Sequence, residues 1–212
     1  MIATLTGIYG AGGCGRGIMP LARDRHGKVP DELVFVDDAL AAPSIINGQT
    51  TKSFKAFCEM PAAHKQIAIA VAAPALRAQI ASQITAENIP LLSVRADNIV
   101  FMDDVEIGEG ALISPFVTFT SNIKVGRCFH ANLYSYVEHD CVIGDFVTFA
   151  PGVQCNGHVH IGDFAYIGAG AVIRQGIVIG ANATVGMGAI VTKDVPPGAT
   201  VVGNPARPLI KN

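Results

Sequence analysis

From Phe101 onward an apolar residue returns at every sixth position: Ile107, Ile113, Phe119, Val125, Ala131, Val137, and so on in unbroken phase to Val191. Sixteen consecutive positions keep that step. Four residues after each lies a small or aliphatic residue, such as Val117, Cys141, Val153, Ala165 or Ala183. Glycine often follows the apolar position, as at Gly108, Gly126, Gly144, Gly162 and Gly180. A six-residue period matches neither an α-helix nor a simple alternating strand. It fits a parallel β-helix with three flat sides, one hexapeptide per side and so about 18 residues per coil. Apolar residues point into the prism and the small ones fill its inner corners. Prisms of this type wind left-handed, so their hand follows from the motif and not from the usual crossover rule. A sandwich of ordinary strands would not hold phase for so long.

The first part of the chain reads differently. "IATLTGIYG" looks like a strand running into "GAGGCGRG", with a helix continuing through "IMPLARD". "ELVFVDD" at 32–38, "QIAIAVA" at 66–72 and "IPLLSV" at 89–94 read as further strands. "PALRAQIASQITAE" at 74–87 places Leu76, Ile80 and Ile84 at helical spacing behind a proline tolerated at a helix start. Strands alternating with helices predict a small, Rossmann-like parallel α/β sheet. Residues 1–96 are therefore expected to form a nucleotide-sugar-binding domain. Residues 97–212 are expected to form the β-helix and a C-terminal tail.

Within the first domain Gly10, Gly12 and Gly15 satisfy G-x-G-x-x-G between a strand and a helix. Such a loop lets backbone N–H groups approach phosphate oxygens at a helix N-terminus. Asp37 follows at a strand end suited to hydrogen-bonding a ribose or base. The domain has room for one mononucleotide half, which favours a nucleotide-linked small molecule over a dinucleotide. A net charge of −2 supplies no basic field for nucleic acid. The longest apolar run, at 67–73, is too short to span a bilayer. The start of the chain carries no basic n-region, so a cytoplasmic location is expected. Five cysteines without a CxxC pair suggest neither a disulfide framework nor a zinc cluster, and no metal is expected. His158 and His160 read as solvated outward histidines in preference to a metal pair.

"YVEHDCVIGDF" at 136–146 sets Glu138, His139 and Asp140 side by side in a charge-poor stretch. Val137 and Cys141 occupy inward positions of the repeat, so the three polar residues face outward near a corner. A stack of coils puts Gly157 over His139, where it leaves room above the imidazole and offers a backbone N–H.

"GIYGAGGCGRG", "VFVDD", "VEHDCVIGDF", "IGAGAVI" and "VGMGAIVTKDVPPGATVVGNPAR", together with the repeat, resemble bacterial sugar acyltransferases from end to end. That family is typified by sialic acid O-acetyltransferases and the N-acetyltransferases of nucleotide-linked 4-amino sugars. The resemblance implies a homotrimer that takes acetyl-CoA in the groove between adjacent prisms and a nucleotide sugar on the N-terminal domain. It puts the catalytic base on His139 and its acidic partner on Asp140, with Glu138 in reserve. It puts coenzyme contacts around Gly157, Ala169 and Met187, and nucleotide contacts on Gly10, Gly12, Gly13, Asp37 and Asp38. Three features depart from relatives: Cys14 replaces a histidine that many carry close to the sugar, Thr148 replaces one that some carry against the acyl group, and "SVRAD" stands where many begin the β-helix with an "HP" pair. The activity implied is acetyl transfer to a nucleotide-linked amino sugar in surface-glycan biosynthesis. O-acetylation of a sialic-acid-type sugar and a non-catalytic trimeric scaffold are the alternatives.

Overall fold

The computed structural model describes residues 2–27, 31–40, 42 and 44–209. Met1 and 210–212, the outer limits of the two expected domains, lie outside the described residues. The chain divides into two compact units, residues 1–72 with 76–94, and residues 95–212 with 73–75.

The first unit runs β1 (Ile2–Tyr9), α1 (Gly13–His26), β2 (Leu33–Val36), β3 (Ile45–Ile46), β4 (Gln49–Lys52), α2 (Phe54–Glu59), β5 (Ala62–Ile69) and α3 (Pro74–Ala86). Its sheet has the order β3-β4-β2-β1-β5. The pairs β4–β2, β2–β1 and β1–β5 are parallel. The edge pair β3–β4 is an antiparallel hairpin that the sequence reading missed. Its turn is Asn47-Gly48, with φ of 49° and 79°, the left-handed pair favoured in two-residue hairpins. The strand expected at 89–94 is replaced by a single bridge between Leu91 and Ile67 and a separate two-residue strand, Val94–Arg95. Pro90 has no N–H to extend a ladder there.

The second unit is a left-handed parallel β-helix of hexapeptide repeats. Parallel two-residue strands stack at 18-residue steps: His130 on Thr148 and Tyr166, Tyr136 on Gln154 and Val172, Val142 on His160 and Val178. These columns are the three faces. From Ile113 to Val191 every member of the six-residue series is buried. Phe101 is 38% exposed because it sits at the open first coil. Each corner turns through one residue of positive φ, again at 18-residue steps. One corner carries Asn122 (57°), Asp140 (59°), His158 (56°) and Gly176 (73°). Asn and Asp tolerate this region better than most side chains.

Candidate active site

The corner that follows the strand Tyr136–Val137 sets His139 and Asp140 outside the column. Val137 and Cys141 on either side are buried, so the chain cannot rotate these side chains inward. Nδ1 of His139 lies 2.8 Å from Oδ2 of Asp140. Nδ2 of Asn122, one coil below, donates to Oδ1 of Asp140 at 3.1 Å. Nε2 of His158, one coil above, lies 3.6 Å from Oδ2. The bond from His139, followed by that from Asn122, holds the Asp140 carboxyl below its ordinary range. Asp140 is therefore an anion at neutral pH. An anionic acceptor on Nδ1 favours the tautomer with the proton there, which leaves a lone pair on Nε2.

His158 was expected to be merely solvated, and here the structure differs. Its side chain is 54% exposed, yet its ring stands edge-on to that of His139 with centroids 5.0 Å apart. It is placed there by the coil spacing that puts Gly157 over His139. His160 lies apart from it on a flat face, in the strand His160–Ile161.

Gly157 is where the site admits no side chain. A Cβ built on it would stand 2.6 Å from Cε1 and 2.7 Å from Nε2 of His139. The imidazole thus leans into the space that the missing side chain leaves. The N–H of Gly157 donates to no described residue. A groove of about 640 Å³ opens at this point, lined by Glu138, His139, Asn156, Gly157, Arg174 and Thr192 among others. Thr120 is 3.5 Å from the Glu138 carboxylate, a weak contact that leaves Glu138 facing the groove.

The expected coenzyme residues do not converge in the single chain. Thr148 is 3% exposed, in the strand Thr148–Phe149, and does not line the groove. Ala169 and Met187 stack on the preceding corner, where the Gly188 N–H donates to the Ala169 carbonyl at 2.8 Å. Met187 is 82% exposed. Cys141 and Cys155 are sealed in the column, unsuited to carrying an acyl group.

In the first unit, Gly10, Gly12, Gly13, Cys14, Asp37 and Asp38 all line one cavity of about 560 Å³. Gly10 has a φ of 101°, and a Cβ on Gly15 would lie 1.8 Å from the Gly10 carbonyl oxygen, so both glycines are demanded by the backbone. Gly12 and Gly13 face open space instead. The Asp37 carboxylate accepts from the N–H of Ala11 at 2.8 Å and of Ala39 at 2.9 Å, tying the glycine loop to the strand end. Asp38 accepts from the Tyr9 hydroxyl at 2.6 Å and the Phe54 N–H at 2.8 Å. Burial, followed by the Asp38 bond, pushes the Tyr9 phenol up, so it stays a donor. Burial raises the Cys14 thiol against the opposing pull of Arg77. Gly12 is open and has an ordinary extended backbone but caps α1, so Gly12→Val should still fold, at a cost of about 1 kcal/mol. The KM for a nucleotide sugar should nevertheless rise by about tenfold or more, the equivalent of 1.4 kcal/mol of lost binding. Thermal melting and steady-state kinetics check both halves.

Residues 158–193 match the bacterial transferase hexapeptide (six repeats) family. Over 160 residues, 74% of this chain and 72% of the relative, the sequence is 47% identical to a protein named GDP-perosamine N-acetyltransferase from Escherichia coli O157:H7. The chain belongs to the nucleotide-sugar N-acetyltransferases of the hexapeptide class. Solved structures agree. WeeI from Acinetobacter baumannii AYE is 49% identical with a TM-score of 0.95, over 98% of this chain and 100% of that one. The acetyltransferase domain of PglB from Neisseria gonorrhoeae FA1090, in complex with acetyl coenzyme A, is 28% identical with a TM-score of 0.89, over 99% and 100%. Among the described residues of this N-acetyltransferase no helix is long and apolar enough to cross a membrane.

Proposed function

We propose that this enzyme moves an acetyl group from acetyl-CoA to the amine of a nucleotide-linked amino sugar, as a cytoplasmic homotrimer serving surface-glycan biosynthesis. The observation that carries the reading is the His139–Asp140 pair beside an open groove, with Nε2 in the space beside Gly157 that a side chain would fill. In this scheme the amine nitrogen attacks the thioester carbonyl and its proton passes to Nε2 of His139. Asp140 orients the ring and stabilises the imidazolium that forms. The N–H of Gly157 donates to the oxygen on which charge develops. The C–S bond then breaks and the coenzyme leaves as its thiol, its sulfur taking the proton from the His139 imidazolium, with no covalent acyl-enzyme. Glu138 is the second acid available to the groove. The nucleotide part is held at the cavity of Gly10, Gly12, Gly13, Cys14, Asp37 and Asp38.

Ala169 and Met187 stand on a different corner from His139, which supports a groove completed by a neighbouring prism. Sedimentation or light scattering should report a trimer; a monomer with full activity would contradict it. N-acetylation is favoured over O-acetylation by the 47% identity to a relative named for an N-transfer. Thiol release with GDP-, UDP- and dTDP-linked amino sugars tests the reaction, and no acceptor-dependent release would leave only the scaffold reading.

Asp140→Asn keeps a residue that tolerates the left-handed corner but removes the charge. It should lower kcat by about a hundredfold or more, because an amide facing Nδ1 no longer fixes the tautomer that leaves Nε2 as the base. Its stability effect has a definite sign. A carboxyl with a depressed folded-state pKa stabilises above its ordinary value of 3.8, and loses that contribution as the pH falls through the lower folded value. The melting difference between parent and Asp140→Asn should therefore shrink on acidification.

A further inference from the structure

Asp140 offers its two oxygens unequally. Oδ1 is held by Asn122, so Oδ2 is left to Nδ1 of His139 at 2.8 Å and Nε2 of His158 at 3.6 Å. One ligand atom from each of the three side chains lies within 4.8 Å of those of the other two. All three side chains are reached by solvent, at 46%, 38% and 54% exposure. Their backbones are fixed relative to each other, because the His158 N–H donates to the His139 carbonyl at 2.8 Å. Tetrahedral Zn²⁺ binds imidazole nitrogen and carboxylate oxygen at about 2.0–2.1 Å, which sets neighbouring ligand atoms roughly 3.3 Å apart. That spacing falls between the two separations seen here.

We propose that His139, Asp140 and His158 form a reversible inhibitory site for Zn²⁺, with water completing the tetrahedron. The metal is no resident cofactor. Each neutral imidazole coordinates through a lone pair and keeps its proton on the other ring nitrogen. His158 binds through Nε2 with its proton on Nδ1. His139 binds through Nδ1, which moves its proton to Nε2. That nitrogen is the one the proposed transfer uses as base, so a zinc-loaded site accepts no proton from the amine. Mg²⁺, which prefers six oxygen ligands, does not substitute. The inhibitory consequence rests on the catalytic reading above, whereas metal binding rests on the donor set alone.

Two measurements on the full chain separate these. Titration with Co²⁺ should give the visible absorption of a tetrahedral site in the parent, and the band should vanish in His158→Gln. Acetyl transfer is followed at buffered free Zn²⁺ by counting the acetylated sugar, since the thiol product would itself bind zinc. The parent should lose activity and regain it with EDTA. Removing a ligand costs at least as much as removing an outer partner, so His158→Gln should need about ten- to hundredfold more zinc for the same fractional loss of its own metal-free rate. A missing cobalt band, or equal zinc sensitivity in both proteins, overturns the site. A His158-dependent band with undiminished transfer keeps the metal site and removes His139 as the base.

Discussion

His139→Ala lowers kcat for acetyl transfer by about two to four powers of ten, the scale on which general-base catalysis contributes. The side chain is 46% exposed and lies outside the packed column, so its loss opens no cavity in the core. Melting temperature and oligomeric state should match the parent. KM for acetyl-CoA should change far less than kcat, because the base acts on the amine proton and not on the coenzyme. A variant with near-parent turnover and an intact fold would remove His139 from the mechanism.

Gly157→Ala should be nearly as damaging for a different reason. Its added methyl would stand 2.6–2.7 Å from two ring atoms of His139, well inside contact distance. The backbone there is not in the glycine-only region, and the obstructing group is the end of a side chain. The imidazole therefore swings away while the coil stays as it is. Misplacing a reacting group by about 1 Å can cost a hundredfold in rate, so kcat should fall by about that factor. The Gly157 N–H survives the substitution, so the loss reports the position of the ring and not a missing oxyanion donor. A parallel loss of thermal stability would instead show that the methyl disturbs the coil.

Much of this was legible because a β-helix turns residue number into height. The series from Ile113 to Val191 fixed the buried face of every coil, and Val137 and Cys141 fixed the outward direction of the three residues between them. The spacing that set Gly157 over His139 sets His158 over Asp140 equally well. His158 was missed because it was weighed with its sequence neighbour His160 and not with the residue one coil below. Side-chain direction was harder to read than position. Nothing in the sequence says that the His139 ring fills the space left by the missing side chain of Gly157, or that Asn122 commits one oxygen of Asp140. In the first unit, the glycine spacing and Asp37 pointed to a cavity that the structure does contain. The same spacing could not show that Asp37 spends its oxygens on Ala11 and Ala39, a contact between a strand end and a loop. The hairpin at Asn47-Gly48 carried a legible turn signal between strands too short to show a period. The run at 89–94 had strand composition, but Pro90 denied it a ladder.

The most direct test is product identity. The parent enzyme is incubated with acetyl-CoA and GDP-, UDP- or dTDP-linked 4-amino sugars, and the nucleotide sugar is analysed by mass spectrometry and NMR. One acetyl group should appear on the sugar nitrogen, matched mole for mole by free coenzyme thiol. Thiol formed without an acceptor, or an acetyl group found on oxygen or on the protein, would contradict the account.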